Sequence, residues 1–209
     1  FQEWGGCDTI ILSAGVSALK PILGIAGADP EHSRELADID KDGVQRTLDA
    51  TEAATRANYY GPLVVVTAFL PLLTRTSKSP SILLVSSLGA LIPCPTRALY
   101  GSTKAASLIM YQAMSVEHPG VAFSYVLPTT IEGSFRASAV DQGAVRESDP
   151  NRSGLKVGAV AARCLKAVDH GERTVFMPGA MAILPTLYTF LPSLVDKFTR
   201  KKYKYHPVV

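Results

Sequence analysis

The strongest constraint on what this chain can fold into is a recurrence of four short apolar runs, each set apart from the next by a longer helical pattern. The runs are Thr9-Ile10-Ile11-Leu12, Ser81-Ile82-Leu83-Leu84-Val85, Val121-Ala122-Phe123-Ser124-Tyr125-Val126-Leu127 and Arg173-Thr174-Val175-Phe176-Met177. Each is short, apolar and partly β-branched or aromatic, which reads as a buried strand. Helical patterns occupy 44–73, 100–117 and 156–168 between them. Strands that alternate with helices specify an α/β fold with a doubly wound parallel sheet, because parallel neighbours must be joined by long crossovers. Such sheets bind ligands beyond the C-terminal ends of their strands. Ser13-Ala14-Gly15, Ser86-Ser87 and Pro128-Thr129 occupy those ends.

The second of these ends carries chemistry. Ser87 is followed 13 residues later by Tyr100, and Lys104 stands four residues beyond that. The residues from Tyr100 onward are good helix formers, and an i, i+4 spacing puts Tyr100 and Lys104 on one helix face. An ammonium beside a phenol favours the phenolate. Bringing a phenol from about 10 to about 7 takes roughly 4 kcal/mol of differential stabilisation, more than one partly exposed lysine gives. A second positive charge is therefore expected near Tyr100.

Ser87 and the run Tyr100-Gly101-Ser102-Thr103-Lys104-Ala105-Ala106 together resemble the serine and Tyr-x-x-x-Lys pattern of the short-chain dehydrogenase/reductases. The resemblance implies hydride transfer between NADP or NAD and an alcohol/carbonyl pair. Tyr100 would be the general acid/base, Lys104 would lower its pKa and hold the nicotinamide ribose, and Ser87 would hydrogen-bond the substrate oxygen. The oxidised nicotinamide would supply the second positive charge. Asn58, in an Asn-x-x-Gly context, matches an asparagine that holds a water linking the lysine to solvent. Ser13-Ala14-Gly15 matches an Asn-Ala-Gly strand end that lies against the cofactor, with serine in place of asparagine. Pro128, Thr129, Ile131 and Ser134 match a Pro-Gly-x-Val-x-Thr segment that clasps the carboxamide and phosphates. There Thr129 stands for the glycine, Gly133 for the threonine, and Ser134 is one residue late.

The family fold also begins with strands and a glycine-rich phosphate turn, and neither G-x-G-x-x-G nor G-x-x-x-G-x-G occurs before Thr9. The expectation is an incomplete doubly wound sheet, with residues 1–180 as the C-terminal two-thirds of a Rossmann domain. The Thr9 strand would then be an unpaired, apolar sheet edge. A fragment of a longer enzyme is one reading, and a truncated, non-catalytic binding or interaction protein is the alternative.

Pro62 predicts a bend near Asn58. Residues 16–43 are irregular and read as a long surface loop or a short helix capping the site. Leu91, Ile92 and Leu99, in the proline-broken loop after Ser87, suggest a pocket wall and hence a hydrophobic carbonyl or alcohol substrate. Residues 135–154 occupy the place of the family's substrate lid, which often orders only when ligand binds.

Composition narrows the partners. A net charge of +3 with 19% charged residues, scattered except near the end, disfavours nucleic acid. Cys7, Cys94 and Cys164 are far apart, which implies free thiols and no metal site. Cys94 reads as an ordinary loop thiol rather than a nucleophile. No signal peptide is readable after Phe1, so a cytoplasmic location is expected, or a cytoplasmic one at the ER membrane. The apolar stretch from Met181 to Phe198 is interrupted by Pro185 and Pro192 and followed by Arg200-Lys201-Lys202-Tyr203-Lys204. Residues 181–209 therefore form either a terminal helix packed on the body or a segment in peripheral membrane contact through 181–204. A similar tail occurs in the microsomal hydroxysteroid-dehydrogenase branch. The resemblance further implies a homodimer of the full-length form, through the Asn58 and Tyr100 helices.

Overall fold

Four parallel strands carry the architecture of the computed structural model, which describes residues 5–29, 31, 35–147 and 149–207. Residues 1–4 and 208–209, the ends of the two divisions read from sequence, lie outside the described residues, as do Pro30 and residues 32–34 of the irregular stretch and Ser148 of the lid segment. The strands β1 (Thr9–Leu12), β2 (Ser81–Val85), β3 (Ala122–Pro128) and β4 (Thr174–Met177) pair in the order β1-β2-β3-β4. Ile10 lies opposite Ile82, Ile82 opposite Phe123, and Val126 opposite Val175. The fold is α/β, with a Rossmann-like parallel sheet. Among the described residues β1 pairs only with β2 and leaves Ile11 43% exposed, the apolar edge expected from the sequence.

Alternation along the strands splits the core into two layers. Ile82, Leu84, Phe123, Tyr125 and Leu127 pack on Val66, Leu70 and Leu73 of α3 (Gly61–Thr76) and on Leu108 and Tyr111 of α4 (Ala98–Glu117). Leu83 and Val126 face the other way, onto Val160, Cys164 and Ala167 of α6 (Val157–Asp169). The two tyrosines in the first layer are satisfied. Tyr111 donates to the Pro62 carbonyl at 2.8 Å, and Tyr125 donates to the Tyr111 carbonyl at 3.1 Å.

This layering fixes the handedness of the crossovers. The strand order advances in one direction throughout, yet the helix changes face after β3. The β3–β4 connection therefore has the opposite hand to the one through α4, an exception to the usual right-handed rule. The exceptional crossover is the one that carries the lid segment. It contains a short helix, α5 (Pro150–Ser153), and is closed on itself where Ile131 bridges Leu155 in parallel.

The irregular stretch before residue 44 holds one short helix, α1 (Ile22–Ala26), and α2 (Lys41–Thr55) begins three residues earlier than its apolar pattern. Asp40 explains the earlier start, because its carboxylate caps the helix by accepting from the Gly43 amide at 2.6 Å. At Asn58 the chain forms a π-helical turn, Arg56–Tyr60, which leads directly into α3. Pro62 sits in the first turn of α3, where a missing donor is tolerated. The disturbance predicted for this point thus takes the form of a π-turn.

After β4 the chain forms a 3-10 turn, Gly179–Ile183, then α7 (Leu184–Phe190) and α8 (Pro192–Lys202). Pro185 and Pro192 each stand in a helix's first turn, so they begin helices rather than break one. Val195 of α8 is buried against Leu88 and Ile92 of the loop after Ser87. Leu99 is buried with Ala18, Ala50 and Ala54. Ile92 and Leu99, expected to line a pocket, instead pack into the protein's own clusters, which removes part of the argument for an apolar wall.

Candidate active site

The ladder between β2 and β3 continues one step past β2, where the Ser86 amide donates to the Val126 carbonyl at 2.9 Å. That step fixes the alternation, so Ser86 is buried and Ser87 only partly so. Ser87 is extended and accepts from the Gly89 amide at 3.1 Å, which caps the 3-10 turn Leu88–Ala90. Ser86 Oγ is buried with no hydrogen-bond partner.

Tyr100 lies in the first turn of α4, and its ring and the Ser87 hydroxyl both border Gly89, where a Cβ would stand 3.9 Å from Tyr100 Cε1 and 3.4 Å from Ser87 Oγ. Gly101 permits this approach, since a Cβ there would stand 2.8 Å from the Gly89 carbonyl oxygen. Phe135 presents its ring edge-on to Tyr100 with centroids 6.0 Å apart, and the Arg97 guanidinium stands 5.9 Å from the Tyr100 ring centroid. Burial pushes the Tyr100 phenol above its ordinary value, while the Ser87 hydroxyl and the charges of Arg97 and Arg136 pull it down.

Lys104, one turn along α4, is 5% exposed, and its ammonium donates to the Val85 carbonyl at 3.3 Å. Burial lowers its pKa to about 8. Asn58 is also buried, and its amide is committed. Oδ1 accepts from the Val16 amide at 2.9 Å, and Nδ2 donates to the Val16 carbonyl at 3.0 Å and to Thr103 Oγ1 at 3.0 Å. The Asn58 side chain therefore clamps the loop after β1 to α4. Gly15 lies inside this clamp, where a Cβ would come 2.8 Å from Asn58 Oδ1 and 3.2 Å from Lys104 Nζ. Gly15→Ala is expected to cost about 1–3 kcal/mol of stability and to displace Lys104 or Asn58. Urea denaturation checks the first effect and dinucleotide titration the second.

The remaining sequence-predicted residues are placed less tightly. Ser13 and Ala14 are exposed just beyond the end of β1. Pro128 is buried at the end of β3, Thr129 donates its amide to the Met177 carbonyl at 2.8 Å, and Ile131 is held by its bridge to Leu155. Ser134 is exposed. The structure thus brings Ser87, Tyr100, Lys104, Asn58 and Gly15 into one connected group. Ser13, Ala14 and Ser134 stay at the surface. Burial pushes the Cys94 thiol up, against a hydrogen-bonding interaction with Tyr203, so it is not a ready thiolate.

Sequence reasoning passed over a second group beside the first. Arg97, Arg136 and Glu147 have side chains 8%, 10% and 6% exposed. Glu147 Oε1 accepts from Arg97 at 2.6 Å and from Arg136 at 3.0 Å. Arg97 also donates to Ser17 Oγ at 2.9 Å and to the Ala18 carbonyl at 3.1 Å, and it stands 5.6 Å from the ring of Tyr203 beyond α8. Asp141 adds a second latch, accepting from the amides of Leu19 and Lys20 at 2.7 Å each. The lid segment is therefore pinned onto residues 17–20 by buried polar contacts. The one available signal was the position of Arg97, three residues before Tyr100 at helical spacing.

A parallel sheet with a tyrosine, a lysine and a serine gathered at its strand ends is the arrangement of a dinucleotide-dependent oxidoreductase fold. The model of the short chain dehydrogenase family matches residues 1–143, and the chain belongs to that family. Solved structures with the same fold include an alcohol dehydrogenase from the archaeon Thermococcus sibiricus complexed with 5-hydroxy-NADP. It is 20% identical with a TM-score of 0.58, over 84% of this chain and 63% of that one. A short chain dehydrogenase from Burkholderia cenocepacia in complex with NADP is 21% identical with a TM-score of 0.66, over 93% of this chain and 69% of that one. A short chain dehydrogenase/reductase from Burkholderia phymatum in complex with NAD is 14% identical with a TM-score of 0.70, over 100% of this chain and 71% of that one. The chain thus spans 63% of the length of the archaeal enzyme. No curated protein sequence matches it.

Proposed function

We propose that the protein is an NAD(P)-dependent oxidoreductase that interconverts an alcohol and a carbonyl compound, with Tyr100 as the general acid/base. The observation that carries this reading is the convergence of Tyr100 and Ser87 on Gly89 at a strand end, one helical turn from a buried lysine. The group fits a nicotinamide riboside. Gly15 leaves bare the space a Cβ would fill beside Lys104, Ser86 Oγ is a buried hydroxyl without a partner, and Lys104 has only one hydrogen bond, a long one. Lys104 and Gly15 would hold the ribose, and Pro128, Thr129 and Ile131 the carboxamide side. NADP or NAD, as found in the two Burkholderia structures, would supply or accept the hydride when bound.

The chain's own residues handle the proton. Ser87 Oγ orients the substrate oxygen, and Tyr100 Oη gives a proton to that oxygen in reduction or takes it in oxidation. Arg97 and Arg136 pull the phenol down. Lys104, one turn away, would act on it through the bound ribose, and burial lowers the lysine's own pKa to about 8. Asn58 holds the β1 loop and α4 in register, and in this proposal its backbone at the π-turn positions the water that reloads Lys104.

The remaining parts of the reading rest on surfaces. The open edge of β1 would receive further strands and a phosphate-binding turn in the complete enzyme. Val64 and Ile109 are each 64% exposed, and Val116 is 73% exposed, which favours a homodimer through α3 and α4. Phe190 at 77% and Phe198 at 63%, beside the basic end of α8, favour peripheral contact with an ER or other membrane surface.

Dinucleotide titration tests the proposal. NADH and NADPH fluorescence should show binding by this chain extended across the β1 edge, and Lys104→Met should weaken it at least tenfold. Negligible binding both with and without the extension would end the proposal. Lys104→Met should also raise stability near pH 7. The folded pKa of about 8 lies below the ordinary 10.5, so charging Lys104 opposes folding below pH 8. That penalty, at most about 3 kcal/mol, fades as pH rises from about 8 to about 10.5. The variant's advantage in thermal melts should fade over the same interval.

A further inference from the structure

The Arg97, Arg136 and Glu147 group has more positive charge than it neutralises. Two guanidiniums share one carboxylate oxygen, and their other partners, Ser17, Ala18 and Thr130, are neutral. One positive charge is left over in a site where all three side chains are at least nine-tenths buried. A buried charge without a counter-charge is costly, so a site that retains one favours an anion. Arg136 is the member with spare capacity. Its Nε is buried and has no hydrogen-bond partner, and the residue follows Ser134 and Phe135, both exposed at the start of the lid. Phe135 is also the ring packed on Tyr100. A ligand entering past Phe135 would reach the phenol and the free guanidinium edge together. A guanidinium edge with an unused N–H presents the donor geometry that carboxylates and phosphates accept.

We propose that Arg136, backed by Arg97, forms an anion subsite beside Tyr100, which receives a carboxylate or phosphate group of the molecule bound there. This rests on the oxidoreductase reading for its link to Tyr100, and it adds that the ligand carries a negative charge close to the reacting carbonyl. Two sources share that chemistry: an anionic substrate, such as an oxo acid with an apolar chain, or a phosphate of the dinucleotide. Glu147 sets the strength of the site by offsetting one of the two positive charges.

The test is calorimetric titration of this chain with octanoate, 1-octanol and inorganic pyrophosphate, alongside Arg136→Gln, Arg136→Lys and Glu147→Gln. One anion, octanoate or pyrophosphate, should bind at least about tenfold more tightly than 1-octanol. Arg136→Gln should abolish that preference, and Arg136→Lys should restore part of it. Glu147→Gln, which removes a negative charge while keeping the side chain's shape, should move binding the opposite way and strengthen it. Preference for octanoate assigns the subsite to the substrate, and preference for pyrophosphate alone assigns it to the cofactor. If the three ligands bind equally, or if the anion preference survives Arg136→Gln in a protein with a wild-type circular dichroism melt, the subsite does not exist. None of these titrations uses turnover. Loss of the oxidoreductase reading would instead appear as absent dinucleotide binding with the anion preference intact.

Discussion

Tyr100→Phe is expected to reduce oxidoreduction about 10²- to 10⁴-fold while dinucleotide affinity stays within about threefold of the parent. The phenylalanine keeps the packing against Phe135 and removes only the hydroxyl on the Ser87 side of the site. Losing one hydroxyl interaction costs about 1 kcal/mol, so the fold should survive and the melt should shift by a few degrees. Steady-state kinetics with a carbonyl substrate, paired with fluorescence titration of NADPH, separates the two effects. Ser87→Ala should give a smaller loss in the same assay, because it orients the substrate oxygen but carries no proton. Retained turnover in Tyr100→Phe would remove the tyrosine from the mechanism.

The largest expected effect on stability lies at Glu147. Glu147→Ala leaves Arg97 and Arg136 buried without their shared carboxylate, and breaking a buried pair from one side costs about 3–5 kcal/mol. That is a large fraction of the roughly 5–15 kcal/mol that holds a typical domain together. Urea denaturation measures the loss. Hydrogen exchange at residues 17–20 and 138–143 should show the lid loosening with it, since Asp141 must then hold residues 19–20 without Glu147. The same carboxylate predicts an acid transition. Burial alone would raise its pKa, but the Arg136 hydrogen bond and the Arg97 charge hold it down to about 2. Its contribution is complete above the unfolded value near 4.5 and is lost as pH falls from there to about 2. Glu147→Gln should flatten the pH dependence of stability in that window. An unchanged acid limb would show that the triad does not hold the lid.

How much of this was legible beforehand follows from which interactions are local. The four strands were readable because each is a short apolar run with few alternatives, and their parallel pairing followed from the helices between them. Ser87, Tyr100 and Lys104 were readable because their spacing is set by one strand end and one helix face. The π-turn at Asn58 was legible only as a disturbance, since Pro62 signals trouble without specifying how the ladder recovers. Contacts between distant segments left no mark. Asn58 clamps Val16 across 42 residues, and Arg97 meets Glu147 across 50. The apolar loop after Ser87 misled for a related reason. Composition cannot tell a side chain that lines a pocket from one that packs on a later helix, and Ile92 meets Val195 of α8.

The charge expected near Tyr100 shows both sides of this. The second positive charge was expected from an oxidised nicotinamide, and the structure sets Arg97 and Arg136 within range of the phenol as well. Neither was singled out, because the shared Glu147 that draws them in lies in the exceptional crossover between β3 and β4.

The central claim is that Ser87, Tyr100 and Lys104 form a working acid–base site for hydride transfer. The most direct test is to incubate this chain, extended across the β1 edge, with [4,4-²H₂]NADPH or [4,4-²H₂]NADH and an aldehyde, and to follow the label by mass spectrometry. The account predicts deuterium on the carbinol carbon of the product alcohol, accumulating at least about a hundredfold more slowly when Tyr100 is replaced by phenylalanine. An unlabelled product pool from the parent protein, with the dinucleotide demonstrably bound, would contradict it.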